Sequence, residues 1–280
     1  MTLEKLLSEL QYRSEIEQAV RWKIHKDVNL LNEIAETAYH GEDFNFAFCR
    51  RMPLTRLAII TCLLLRKYDA YKSKGIPDNI IFDTFRDVSL RANLFYERTG
   101  KAGISKDDVI WFRHLMNVGI FKIGTLQFQP FKMLYLDKET IGKPYMIFTK
   151  EQKESLPSGT PVLNCHIQKG ADLGQQSVEE SLENAKVFFR TYFPAVQYKA
   201  FLCYSWLLYP PMLEHLSKES NIKRFANVFH IIGSCSDSEQ AVENLFGNIN
   251  GSIPCKTTSL QKMASEHKER FGFACGIIPI

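Results

Sequence analysis

Over its first 117 residues the chain repeats apolar residues at helical spacing, and from Val118 onward the period drops to two. One polypeptide therefore carries two unlike folding textures. Leu3, Leu6, Leu7 and Leu10, then Ile16, Val20 and Ile24, recur at three and four with no proline or glycine between them, which predicts two amphipathic helices up to about residue 31. Gly41-Glu42-Asp43 breaks the pattern. Pro53 suits the first turn of the next helix, where its missing N–H costs nothing, and that helix is expected to reach about Ser73. Lys74-Gly75-Ile76-Pro77-Asp78 reads as a turn, and Ile80, Ile81, Phe82 and Phe85 restart a helical period toward Phe95. Ser105 with Asp107 and Asp108 caps and charges a further helix through Trp111, Phe112 and Met116.

Gly119 to Gln129 alternates apolar with polar or small residues, as does Met133-Leu134-Tyr135-Leu136, and the two runs read as a hairpin. Residues 149–160 are polar and read as a loop, followed by a strand from Pro161 to Ile167. Ser177-Val178-Glu179-Glu180 is a capping-box sequence opening a helix whose apolar side carries Val178, Leu182, Ala185 and Phe189. Strands are predicted at 198–208, 226–232 and 271–278, and helices at 211–217, 236–247 and 257–270. Such alternation predicts a sheet with helices packed on it, an α+β chain with a helical domain at 1–117 and a mixed-sheet domain at 118–280.

Composition narrows the classes further. A length of 280 residues supports a core without metal or disulfide, and 45% hydrophobic with 24% charged residues is a globular balance. A net charge of +4 over that length does not call for nucleic acid, and Arg50, Arg51, Arg56, Arg66 and Lys67 read as a solvated helix face. The seven cysteines, at 49, 62, 165, 203, 235, 255 and 275, form no C-x-x-C pair and are odd in number, which fits a reducing compartment and suggests no metal site. Met1 to Leu7 is amphipathic rather than signal-like, and Leu57 to Leu65 is only about half of the ~20 apolar residues a membrane span needs. The expected setting is cytoplasmic, with no membrane partner. Self-association through the aromatics of the helical half (Phe44, Phe46, Phe48, Phe82, Phe85, Phe95) stays open, although aromatics at this spacing are more often core.

Among residues that could carry chemistry, His166 ends a predicted strand and precedes a loop that feeds a capped helix, a position where α/β sheets bind ligands and a helix N-terminus favours an anion. The competing assignment is a histidine that satisfies a loop carbonyl. Cys165 falls on the opposite sheet face, which argues against a Cys/His nucleophilic pair. Ser205 lacks the G-x-S-x-G elbow of a hydrolase, Trp206 reads as core, and Ser220-Asn221 reads as an Asx-type turn or helix cap. Glu179 and Glu180 are explained as first-turn helix charges, and no zincin, P-loop or Rossmann motif occurs.

Two groups of residues together resemble a known family. Pro53-Leu54-Thr55-Arg56-Leu57, Gly75-Ile76-Pro77, Asp83-Thr84, Asp87 and the run from Gly119 to Phe128 resemble the N-terminal domain of bacterial N-acyltransferase-like proteins. His166-Ile167, Gly170, Ser181, Ala185, Phe188-Phe189, Tyr192-Phe193-Pro194, Cys203, Ser205-Trp206-Leu207-Leu208, Ser220-Asn221-Ile222 and Phe225 are similar to the companion GNAT-like C-terminal domain. The resemblance implies a helical domain before a GNAT-like mixed sheet, with an acyl-CoA held in a splayed strand pair as co-substrate for N-acylation of a small amine. For such a transfer His166 is expected as base or polariser, Ser205 or Tyr204 as the acid that protonates the leaving thiolate, and Gly170, Ser177, Trp206, Ser220 and Asn221 as acyl-CoA contacts. No Q/R-x-x-G-x-G/A phosphate loop is readable, and the nearest glycine runs, Gln168-Lys169-Gly170-Ala171 and Gly100-Lys101-Ala102-Gly103, lack its spacing. The alternative is a non-catalytic metabolite-binding protein on the same fold.

Overall fold

The computed structural model describes residues 1–40, 46–247 and 258–280, which divide into two compact units, Met1–Ile123 and Gly124–Ile280. The sequence break at Gly41-Glu42-Asp43, together with Phe44, Cys255 and residue 257 at the start of the last predicted helix, lies outside the described residues.

The first unit comprises α1 (Leu3–Leu10), α2 (Ser14–Thr37), α3 (Pro53–Lys72), α4 (Asp78–Thr99), α5 (Lys106–Trp111), α6 (Arg113–Met116) and the short strand β1 (Phe121–Ile123). Their limits follow local chemistry. Thr2 accepts from the Lys5 N–H to open α1, Pro53 stands at the start of α3, and Ser105 and Asp108 exchange side-chain-to-backbone bonds in a capping box at α5. The apolar run Leu57–Leu64 is buried, as the sequence anticipates for a core helix. Asp87, almost wholly buried, accepts from Trp111 Nε1 at 2.6 Å and Arg91 Nε at 3.2 Å, while Arg91 Nη1 reaches Asp108 Oδ1 at 3.0 Å. This network ties α4 to α5 and compensates each charge removed from water.

Arg56 departs from the solvated-face expectation. It is buried on α3, and its guanidinium donates to Ile104 O (3.0 and 2.7 Å), Cys49 O (3.1 Å) and Arg51 O (2.6 Å). Its planar fork reaches three carbonyls that a point charge could not serve together. The glycines of 100–103 have structural explanations as well. Gly100 ends α4 in the left-handed region (φ +66), and a Cβ on Gly103 would lie 2.4 Å from Pro53 Cβ.

The second unit comprises β2 (Leu126–Lys132), α7 (Lys138–Ile141), α8 (Lys150–Ser155), β3 (Pro161–His166), α9 (Gln175–Tyr192), β4 (Ala200–Ser205), α10 (Pro210–Glu214), α11 (Asn221–Asn227), β5 (His230–Cys235), α12 (Glu239–Phe246), α13 (Ser259–Glu266) and β6 (Phe273–Pro279). Within it the strands run β2-β3-β4-β6-β5; β3 and β4 are parallel, joined through α9, and the remaining neighbours are antiparallel. The whole is α+β.

Four local readings change. Met133 to Leu136 is not a strand; Met133 instead exchanges backbone bonds with Thr160 and Gly159, and Tyr135 turns inward to donate to Leu156 O at 2.8 Å. The polar stretch read as a loop contains α8, because Thr149 and Gln152 form a capping box. Residues 226–232 split into the end of α11 and the start of β5. Helix α9 begins at Gln175, not at Ser177: Asp172 accepts from Gly174 N–H at 2.8 Å and from Ser177 Oγ at 2.6 Å, so an aspartate outside the helix secures the start that the serine suggested.

One sheet face carries a core cluster of Val162, Ala200, Leu202, Ile232 and Cys275 under Met133, Tyr135, Met146, Phe148 and Leu156. On the other face Phe128 and Phe201 meet at 5.5 Å, and α9 packs against β2, with Ser181 Oγ accepting the Thr125 N–H at 2.7 Å.

Candidate active site on the β2–β3–β4 face

Strand register decides which polar groups can act together. Gln127 pairs with His166 and Gln129 with Asn164 across the antiparallel β2/β3 ladder, so all four side chains project from one face. His166 Nε2 lies 2.9 Å from Gln129 Oε1 and 3.2 Å from Asn164 Nδ2. One nitrogen cannot donate to the first and accept from the second at once, so the tautomer selects the bond. An imidazole with its proton on Nε2, neutral or cationic, donates to Gln129 Oε1. Gln127, 1% exposed, completes the row, and among the described residues its Nε2 has no hydrogen-bond partner.

On the other side of β3, the parallel ladder to β4 pairs Leu163 with Phe201 and Asn164 with Leu202, and no pair follows. Cys165 and His166 on β3, and Cys203, Tyr204 and Ser205 on β4, lie beyond the last pair. A parallel pair whose ladder stops short of both strand ends leaves backbone groups there for a ligand to engage.

The expected site residues divide by face. Tyr204 shares the His166 face, donates to Leu134 O at 2.6 Å, and is held protonated because burial raises its pKa far above the usual phenol value. Ser205 falls on the opposite face, buried, with its Oγ accepting from Leu207 N–H at 3.1 Å. Trp206 is buried, its ring 6.1 Å from Phe271 and its backbone N–H bonded to Gln240 Oε1 at 3.0 Å. Gly170 (φ +80) is exposed in a turn closed by Ala171 N–H to Gln168 O; a Cβ there would meet nothing within 4 Å, so the backbone angle alone favours glycine. Ser177 is engaged by Asp172, and Ser220 and Asn221 form the N-cap and first residue of α11, which packs on α9 and the 206–208 turn.

Thiol chemistry is disfavoured. A hydrogen bond with Cys165 and then burial push the Cys203 thiol well up, and burial pushes Cys275 up to about 12. Among the described residues no group of three His, Cys, Asp or Glu could hold a metal ion, and no helix is long and apolar enough to cross a membrane.

The family model for the GNAT-like C-terminal domain matches residues 120–273, more than half of the chain. The chain belongs to the GNAT-like family. Ahead of its GNAT-like domain, residues 1–117 match the N-acyltransferase N-terminal domain. No curated protein matches. Solved structures similar to this GNAT-like chain include an acyltransferase in complex with decanoyl-CoA and teicoplanin (TM-score 0.72, 19% identity, covering 99% of this chain and 87% of that one). A mutant acyltransferase with octanoyl-CoA (0.74, 19%) and an acyltransferase with CoA and 10C-teicoplanin (0.73, 19%) match over the same shares. At this identity the likeness establishes the fold.

Reasoning from sequence missed Gln127, Gln129, Asn164 and Asp172. The signal for the first three was available, since Gln127 and Gln129 share a parity on β2 and Asn164 shares one with His166, but it acquires meaning only once β2 is paired with β3 in register.

Proposed function

We propose that the protein is an acyl-CoA-dependent N-acyltransferase that moves an acyl group from the CoA thioester to an amino group of a small molecule. The observation that carries this reading is the short parallel β3/β4 ladder opening beside His166, with Gln129 placed to hold the imidazolium. Solved relatives of the same fold hold decanoyl-CoA, octanoyl-CoA or CoA, two of them with a glycopeptide, teicoplanin or its 10C form.

In the proposed reaction the amine nitrogen attacks the thioester carbonyl carbon. His166 takes the proton from the nitrogen, the C–N bond forms, and the C–S bond breaks. The imidazolium, steadied by Gln129 Oε1, then returns the proton to the CoA thiolate. The shuttle balances with one residue. It asks less of Tyr204, whose raised pKa makes it a poor donor, and nothing of Ser205, which lies on the other face.

A second reading, a metabolite-binding protein without catalysis, is favoured by one feature: the Asp172 carboxylate, kept ionised by its bonds from Ser177 and Gly174, sits at the α9 N-terminus where a pyrophosphate would otherwise be expected. Thermal unfolding with acetyl-, octanoyl- and decanoyl-CoA separates the two. A donor at about 100 times its Kd adds ~2.7 kcal/mol of stability. A shift, followed by transfer to an amine that His166→Ala abolishes without loss of donor binding, supports the enzyme. No shift with any acyl-CoA at millimolar concentration rejects it and leaves the metabolite-binding reading.

A further inference from the structure

We infer that Gln127 is a further catalytic residue, whose side-chain amide donates to the carbonyl oxygen of the acyl thioester and polarises it for attack. The inference rests on the acyl-CoA reading and adds to it the group that stabilises the developing oxyanion.

The amide stands out for its isolation. Buried polar side-chain atoms in a native protein nearly always have a partner, because leaving one unmade forfeits its hydration with nothing in return. Gln127 Nε2 is buried with none among the described residues, whereas His166 Nε2 on the same face lies within hydrogen-bond distance of Gln129 Oε1 and Asn164 Nδ2. Methionine or leucine would fill the position without that penalty, so an amide retained there calls for a functional account.

Register supplies the account. Gln127 is the direct cross-strand partner of His166, and adjacent antiparallel partners on one face hold their side chains within contact range. An acyl group entering where the β3/β4 ladder ends meets the imidazole from one strand and the amide from the next. The chemistry needs both groups. As the amine attacks, negative charge gathers on the carbonyl oxygen while a proton leaves the nitrogen. A donor aimed at the first and a base aimed at the second, on one rigid sheet face, are pre-organised for that charge separation. At 1% exposure the amide is shielded from bulk water, so its bond to the oxygen is not weakened by competition.

The test uses full-length Gln127→Met, nearly isosteric but without a donor, and Gln127→Glu, which exchanges donor for acceptor. Octanoyl-CoA labelled at the thioester carbonyl is the probe, read by calorimetry for binding and by infrared difference spectroscopy for the carbonyl stretch. In the wild-type protein the bound carbonyl stretch is expected at lower wavenumber than in free octanoyl-CoA. Q127M and Q127E are expected to lose that displacement while His166→Ala keeps it, and Q127M is expected to melt a few degrees above wild type because the orphaned donor is gone. Thioester turnover is expected to fall about 100-fold in either Gln127 variant.

A displaced carbonyl stretch that persists in both variants, or a Q127M protein that melts below wild type while keeping full turnover, overturns the inference and makes the amide a structural group satisfied by water. Binding of octanoyl-CoA with no displacement in wild type also overturns it and leaves the enzyme reading intact. Failure of wild type to bind any acyl-CoA overturns both.

Discussion

Arg56→Leu tests whether a buried guanidinium that donates to backbone carbonyls stabilises the helical unit. The substitution keeps the apolar stem and removes every donor to Ile104 O, Cys49 O and Arg51 O. Each carbonyl losing a charged donor costs on the order of 1.5 kcal/mol, less for Arg51, which is exposed and can recruit water. Against about 4 kcal/mol of loss stands the relief of the guanidinium's own desolvation, which also lowers its pKa. The net expectation is about 3 kcal/mol of destabilisation. At roughly 2–4 °C per kcal/mol for a domain of this size, melting followed by far-UV circular dichroism should fall by about 6–12 °C. Arg56→Lys should recover about half, since an ammonium keeps the charge but cannot span three acceptors. If Arg56→Leu melts within about 1 °C of wild type, the carbonyls are satisfied otherwise and the reasoning is wrong.

Two other outcomes follow from the same unit. Gly103→Ala places a Cβ 2.4 Å from Pro53 Cβ and 2.6 Å from its carbonyl carbon, at φ +151; urea titration should show a loss of about 2 kcal/mol or more, and an unchanged midpoint would mean that the Pro53 turn yields freely. His114 is held down to about 4, first by burial and then by Arg113. Because the unfolded chain takes its proton near 6.5, stability should decline as pH falls from about 6.5 to 4, by about 3 kcal/mol relative to His114→Gln. Parallel stability–pH curves for the two proteins would remove His114 as the cause.

Where the sequence could be read, a single residue usually did the reading. Pro53 marked the start of α3, Ser105 with Asp108 that of α5, and the change of period at Val118 announced the strands. Errors arose where the deciding partner is distant or the cue lay outside the expected place. Thr149 and Gln152 stand at capping-box spacing, yet the polar composition of 149–160 led to a loop reading, and Asp172 opened α9 from outside the helix. Arg56 looks like its neighbours Arg50 and Arg51 in any charge count; only the packing of residues 49–51 and 104 around α3 buries it. The place of His166 at a strand end was legible, but its neighbours were not, because alternation assigns a residue to a face and cannot say which strand lies beside it.

The order of strands also has a consequence for synthesis. β6 lies between β4 and β5, so β5, made some forty residues earlier, has no neighbour to join until residues 273–279 have left the ribosome. The nascent second unit can build β2, β3, α9 and β4 on the way, and must wait with the β6-facing edges of both β4 and β5 unpaired. Stalling or truncation before residue 273 is then expected to yield an adhesive intermediate that engages chaperones, and a chain stopped after residue 280 one that does not.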